Sequence, residues 1–203
     1  MGLRNLFLLF LLSTAFAPPH LKQVTPIQSP FNVIAPTWVI GDLAVGIDGR
    51  VYLPLILKGG EPLRSVALSS ASEWLFKPAR AEAEVESHVA AVFLFRPRNV
   101  FSSSPPDLSD IKATGPDAPP IPISVSDPGY PPMSVAEGSV VLELQISEAG
   151  SITAVRIVSG IPGITKLTQD AVRSWKFNPA KRSGKAVPGT VIVAITYLRP
   201  PAS

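Results

Sequence analysis

Two histidines, no cysteine and one alternating run of carboxylates are what this 203-residue chain offers to acid–base or metal chemistry. His20 and His88 have no partner at the spacing that a zinc site uses. Glu82, Glu84 and Glu86 alternate along one stretch, the pattern of a solvated face rather than of an acid–base pair. No serine stands in a nucleophile elbow. Gly59-Gly60 precedes a helix but lacks the lysine of a phosphate loop. Without cysteine there is no disulfide and no thiolate chemistry. The expectation is no enzyme, no metal and no cofactor. A net charge of +3 is too small to argue for nucleic acid. What remains is binding through backbone and apolar side chains, so the elements that present them carry the question.

The strongest pattern is a repeat. Trp74-Leu75-Phe76-Lys77-Pro78-Ala79 returns 101 residues later as Trp175-Lys176-Phe177-Asn178-Pro179-Ala180. Laid at that offset without a gap, residues 39–80 and 140–181 share nine identities, Gly49/Gly150 and Gly59/Gly160 among them. Apolar character agrees at many other positions, and a single insertion aligns Val89–Phe95 with Val191–Tyr197. The chain reads as two copies of one small unit.

Each copy has the same local order. Val140, Leu142, Leu144 and Ile146 alternate with Val141, Glu143, Gln145 and Ser147, which predicts a strand with one face inward. Glu148-Ala149-Gly150 is a turn, matched upstream by Asp48-Gly49, a pair that tolerates positive φ. Ile152–Ser159 is rich in β-branched residues and reads as a second strand. Ile164, Leu167, Thr168, Ala171, Val172 and Trp175 then follow helical spacing, as do Leu63, Val66, Ala67, Ser70, Ala71 and Trp74. Proline disfavours helix at the residue before it, so the helix ends near Trp-x-Phe-x-Pro. A last strand follows, His88–Phe95 or Thr190–Leu198. The predicted fold is α+β: two tandem units, each a helix packed on a three-stranded antiparallel sheet in the order β-β-α-β. Trp74, Phe76 and Pro78, and Trp175, Phe177 and Pro179 with Arg173 of the same run, are read as structural. The aromatic pair plugs the core and the proline fixes the exit.

Between the units, residues 98–129 form a proline-rich linker with little capacity to bury anything. Residues 18–38 read as a shorter tether. Residues 1–17 read as a secretory signal or a short anchor: Arg4, an apolar run from Leu6 to Leu12, and Ala15-Phe16-Ala17 as a small-x-small cleavage pattern. Thirteen residues from Asn5 to Ala17 are too few for a span, which needs about 20.

Residues 130–200 then resemble the C-terminal domain of TonB, the periplasmic energy transducer. The resemblance rests on Tyr130-Pro131, Gly138-Ser139-Val140, the turn at Gly150, Ser159-Gly160, Ala171-Val172-Arg173-x-Trp175-x-Phe177-x-Pro179-Ala180, Gly184 and the last β-branched strand. Residues 39–97 resemble a degenerate copy, without the Tyr-Pro lead and without Ala-Val-Arg before the tryptophan. Thr165 stands where the family usually has an aspartate. The resemblance implies an exported, periplasmic protein, and a partner: the N-terminal box of an outer-membrane TonB-dependent transporter, bound by strand addition to an open sheet edge. The implied edge is Thr190–Leu198, with Thr190, Val191, Ile192, Val193, Ile195 and Tyr197 as contact residues. Tyr130 and Pro131 lie near it by similarity. The basic loop Lys181-Arg182-Ser183-Gly184-Lys185 faces acidic partner surface or is a solvated turn. Inner-membrane motor proteins are implied for a full transducer. The alternative is a non-energising envelope scaffold built from tandem units, and open edges would also allow a homodimer. Residues 39–97 carry six basic and seven acidic side chains, and residues 130–200 eight and four, so the better-preserved copy is the basic one.

Overall fold

The first half forms β1 (His20–Gln23), β2 (Thr37–Val45), β3 (Val51–Lys58), α1 (Leu63–Ser72), β4 (Leu75–Lys77), β5 (Ala79–Arg80), β6 (Glu84–Val85) and β7 (Ser87–Pro97). The second half runs through the same order: β8 (Ile121–Ser124), β9 (Gly138–Ile146), β10 (Ile152–Ser159), α2 (Thr165–Val172), β11 (Lys176–Asn178), β12 (Ala180–Arg182), β13 (Lys185–Val187) and β14 (Gly189–Leu198). The computed structural model describes residues 16–25, 27, 33–98, 104–112 and 115–198. The leader read at residues 1–17 lies outside these, apart from Phe16 and Ala17. Among the described residues no helix is long and apolar enough to cross a membrane.

Six strands make one sheet, in the order β10-β9-β14-β7-β2-β3. Every neighbouring pair is antiparallel except the central one. There β14 and β7 run parallel, from Val191↔Ala90 to Leu198↔Pro97. The expected pair of three-stranded sheets is thus a single merged sheet. The reason lies in β7 and β14 themselves. From Val89 to Phe95 and from Val191 to Ile195 every side chain is apolar, and a strand apolar on both faces is stable only when both are covered.

A parallel pair at the centre of an antiparallel order relates the halves by a rotation about an axis along the strands. Such a rotation swaps the faces. Leu63, Ala67, Ala71 and Trp74 of the first half pack over Val39, Leu43, Val89, Ala91 and Phe93. Ile164, Val172 and Trp175 pack on the other face, over Val140, Leu142, Leu144, Val191 and Val193. Fully burying one Phe or Leu here contributes roughly 1.5–3 kcal/mol.

Each half leaves a second face bare, and the other half's leading segment covers it. Leu21, Ile27 and Val33 cover Val141, Ile192 and Ala194. Ile111, Ile121 and Val125 cover Trp38, Ile40, Ala90, Val92 and Leu94. This corrects the reading of residues 18–38 and 98–129 as tether and free linker. β1 pairs with β4, and β8 with β11. Proline density hid a few well-spaced apolar anchors. Ala17 bridges Arg80 and Ala118 bridges Lys181, each through two backbone hydrogen bonds of 2.7–3.0 Å. Ala17-Pro18-Pro19 and Ala118-Pro119-Pro120 stand 101 residues apart, so the repeat begins well before residue 39.

The shared glycines have a steric cause. Gly49 and Gly150 sit at φ +79° and +78°, and a Cβ on either would come within 2.0 or 2.2 Å of the carbonyl oxygen of Phe76 or Phe177. The hairpin turn and the Trp-x-Phe run were therefore kept as a matched set in the sequence, because one lies on the other. Both helices stop before their tryptophan, and Trp74 and Trp175 end up 1% and 4% exposed.

Candidate interaction site at the sheet edges

β14 lies between β9 and β7, with both backbone edges hydrogen-bonded. Gly189 to Tyr197 are all buried. The Thr190 hydroxyl donates to the Pro19 carbonyl at 2.5 Å. The Tyr197 hydroxyl meets that of Thr168 at 2.8 Å, and burial pushes its phenol up to about 12. Thr190, Val191, Ile192, Val193, Ile195 and Tyr197 are therefore core residues of a central strand, with no free edge for a partner. The apolar run expected to make a sticky edge is instead satisfied by β7 of the same chain.

Tyr130 packs its ring edge-on against Tyr197 at 5.3 Å, and its hydroxyl donates to the Ala136 carbonyl. Tyr130 and Pro131 are half-buried beside the end of β14. Lys181, Arg182 and Lys185 belong to a tight hairpin, β12–β13, with Ser183 and Gly184 at positive φ in its turn. Ser183 N–H donates to Asp117 at 2.5 Å, which ties this hairpin to the segment before β8. Arg173 is exposed at the end of α2, not part of the core as expected, because the helix turns that position to solvent. Trp74, Phe76, Trp175 and Phe177 are buried, and Pro78 and Pro179 half-buried at the exits.

Among the described residues, the sheet's open edges belong to β10 and β3. They occupy matched positions, with Val155 opposite Leu144 and Pro54 opposite Leu43. β3 exposes Tyr52, Leu53 and Leu55, but Pro54 interrupts its donors. β10 has no proline, exposes Thr153, Ala154, Arg156 and Ile157, and keeps every backbone donor along Ile152–Ser159. It is the more complete template for strand addition.

Three polar groups escaped the sequence reading. Glu143 is 1% exposed on β9. It takes hydrogen bonds from Arg156 Nη2 at 2.6 Å, the Leu21 N–H at 2.7 Å and His20 Nδ1 at 2.8 Å. Burial works to raise this carboxyl, and the bonds from Arg156, His20 and Leu21 outweigh it and hold it below the ordinary value. At the matched position in the first half, Asp42 pairs with His88 Nδ1 at 2.8 Å. That bond raises the His88 pKa against the opposing effect of burial. Arg96 and Asp127 form a buried ion pair at 2.9 Å that fixes the second leading segment. Glu143 fell on the supposed outer face of an alternating strand, so period two alone assigned it to water. Among the described residues no group of three or more His, Cys, Asp or Glu is placed to hold a metal.

Residues 127–198 match the family described as the Gram-negative bacterial TonB protein C-terminal. No curated protein and no solved structure matches the chain.

Proposed function

With residues 127–198 a TonB C-terminal domain, we propose that the chain is an exported TonB-like interaction protein of the cell envelope, whose first half is a degenerate copy of the same unit. The parallel pairing of β7 with β14 carries this reading. By resemblance, a transporter's box adds as a strand to an open edge of such a domain, and the last strand was the implied edge. Here the upstream copy holds that edge along its full length. An extended partner instead meets open backbone at β10, where main-chain hydrogen bonds supply affinity and alternate side chains supply specificity. The partner class is an extended N-terminal segment of an outer-membrane transporter or of another envelope protein. A scaffold that holds such a segment fits this geometry better than a transducer that pulls on it, because the strand that would bear the load is already spoken for. Inner-membrane motor proteins are not needed for this role.

The test is a titration of the isotope-labelled full chain with a synthetic transporter box peptide, followed by amide NMR. Shifts confined to residues 152–159, with β7 and β14 unchanged, are the expected result. Shifts along residues 190–198 with release of β7 would mean that the upstream copy is a displaceable plug and that the transducer reading is right.

A further inference from the structure

The two edge strands meet their helices differently. Ile56 on β3 and Val66 on α1 pack against the first half's core, and α1 lies mainly against β3. The matched residues of the second half, Ile157 and Leu167, stay 48% and 39% exposed. There α2 lies mainly against β9, one strand in from the edge. Where α1 buries Ala67 and Ala71, α2 buries Thr168 and Val172. Packed interiors hold helix and sheet further apart when the side chains between them are larger. The second half therefore keeps an apolar strip beside β10 that the first half has closed.

The two faces of β10 also differ in chemistry. Residues opposite one another in a ladder share a face. Ile157 stands opposite Leu142, and Val155 opposite Leu144, on the face that α2 covers. Arg156 stands opposite Glu143, on the face that the leading segment covers. Its bonds to Glu143 and to the Leu21 carbonyl, both at 2.6 Å, run through Nη2. That holds the guanidinium in place on an open edge. Among the described residues its Nε and Nη1 donate to nothing, and the side chain is half-exposed.

We infer that β10 and α2 together select the added strand by its sequence: an acidic side chain facing Arg156, with an apolar side chain on either side of it. Successive side chains of a strand point to opposite faces, so such a segment meets both demands at once. Its carboxylate reaches the free fork of Arg156, a geometry suited to two parallel hydrogen bonds. Its apolar neighbours turn to the other face and cover Ile157 and Leu167. Residues 130–200 carry eight basic and four acidic side chains, which adds attraction for an acidic segment. This inference rests on strand addition at β10 and names the partner chemistry that the edge takes.

The experiment is amide NMR titration of the labelled full chain with three capped peptides. They are Ser-Thr-Val-Glu-Val-Thr-Ser, the same with Gln for Glu, and the same with Ser for both Val. Shifts at residues 152–159 are expected, with affinity lowered about threefold by Gln and about tenfold by Ser. Arg156 also holds the leading segment, so Arg156→Gln is read against both acidic and amide peptides. Its preference for Glu over Gln should vanish, whereas a merely structural role would weaken both peptides alike. Leu167→Ala should narrow the preference for Val over Ser, and Leu53→Ser on β3 should bind as the parent does. Equal affinity of all three peptides at residues 152–159 would overturn the selectivity and leave strand addition standing. A Glu preference that survives Arg156→Gln, or binding lost in Leu53→Ser, would overturn the assigned residues. Shifts at 152–159 that follow protein concentration alone would give the edge to a second copy of this chain and overturn the inference. No shift at 152–159 with any peptide at millimolar concentration would overturn strand addition at β10 and this inference with it.

Discussion

Positions 42 and 143 are equivalent in the two halves, and each holds a carboxylate bonded to a histidine at 2.8 Å. The surroundings differ. Glu143 is a hub, joining β10 through Arg156 to the leading segment through His20 and Leu21. Among the described residues, Asp42 holds His88, within the sheet. The edges outside them differ in the same sense: Leu55 and Pro54 flank Asp42, where Arg156 and Val155 flank Glu143. One frame therefore carries a blunted apolar edge on one side and a latched, polar, open edge on the other. Equivalent backbone does not give equivalent surface, because strand addition needs an unbroken donor row and a proline removes one donor.

The largest effect should come from the centre. Val193→Pro places a residue without an N–H in a strand bonded on both sides, and should abolish cooperative unfolding of both halves together. A chain that keeps its fold and loses only a partner would show that β14 is an edge after all. Next come the paired plugs. Trp74→Ala and Trp175→Ala should each cost about 3–5 kcal/mol in urea denaturation, with the larger loss at Trp175, whose indole N–H also donates to Ser126 at 3.2 Å while that of Trp74 has no partner among the described residues. A clearly larger loss at Trp74 would break the equivalence of the halves.

The two carboxylates sharpen it further. Glu143→Gln breaks a buried, charge-assisted hub; such changes cost about 3–5 kcal/mol when the partner stays buried. Arg156 is half-exposed, so the lower end is expected, with a smaller loss for Asp42→Asn. The signs with pH are opposite. The Glu143 carboxyl is lowered, so its contribution is present above the ordinary glutamate value of about 4.3 and is lost as pH falls through its folded value. The His88 imidazolium is raised, so its contribution is complete below the ordinary value of about 6.5 and is lost as pH rises through its folded value. Glu143→Gln should flatten the acid limb of a stability–pH profile, and Asp42→Asn the neutral-to-alkaline limb.

The smallest stability effect concerns the edges. Pro54 is accommodated opposite Leu43, so Val155→Pro at the matched place should leave the β9–β10 ladder intact and cost about 1 kcal/mol or less. It should nevertheless remove peptide binding at β10. Unchanged binding would send the search for a partner surface elsewhere.

Much of the fold was legible in the chain. The offset repeat marked the hairpins at Gly49 and Gly150, the helices, and the Trp-x-Phe-x-Pro exits, because each is local or depends on a neighbour close in sequence. The leading segments were not legible. Leu21, Ile27, Ile121 and Val125 are single anchors among prolines, without a period to detect. The candidate site was misassigned for a related reason. The continuous apolar run Val191–Ile195 is the mark of a strand buried on both faces, and a reading that began from three-stranded units had no layer to cover its second face.

The sequence by itself determined the unit: its strand–strand–helix–strand order, the glycines that its turns require, and the aromatic plugs under its helices. It also made the last strand of each half too apolar to stand alone. Which surface would satisfy that strand was a tertiary decision. Pairing β7 with β14 in parallel satisfies both at once, and the rotation this imposes turns the two helices to opposite faces. The bare faces then draw in residues that read as linkers, and the free edges move outward to β3 and β10. Backbone pairing between residues 101 apart leaves no local trace, since either strand would be equally apolar at an interface with another molecule.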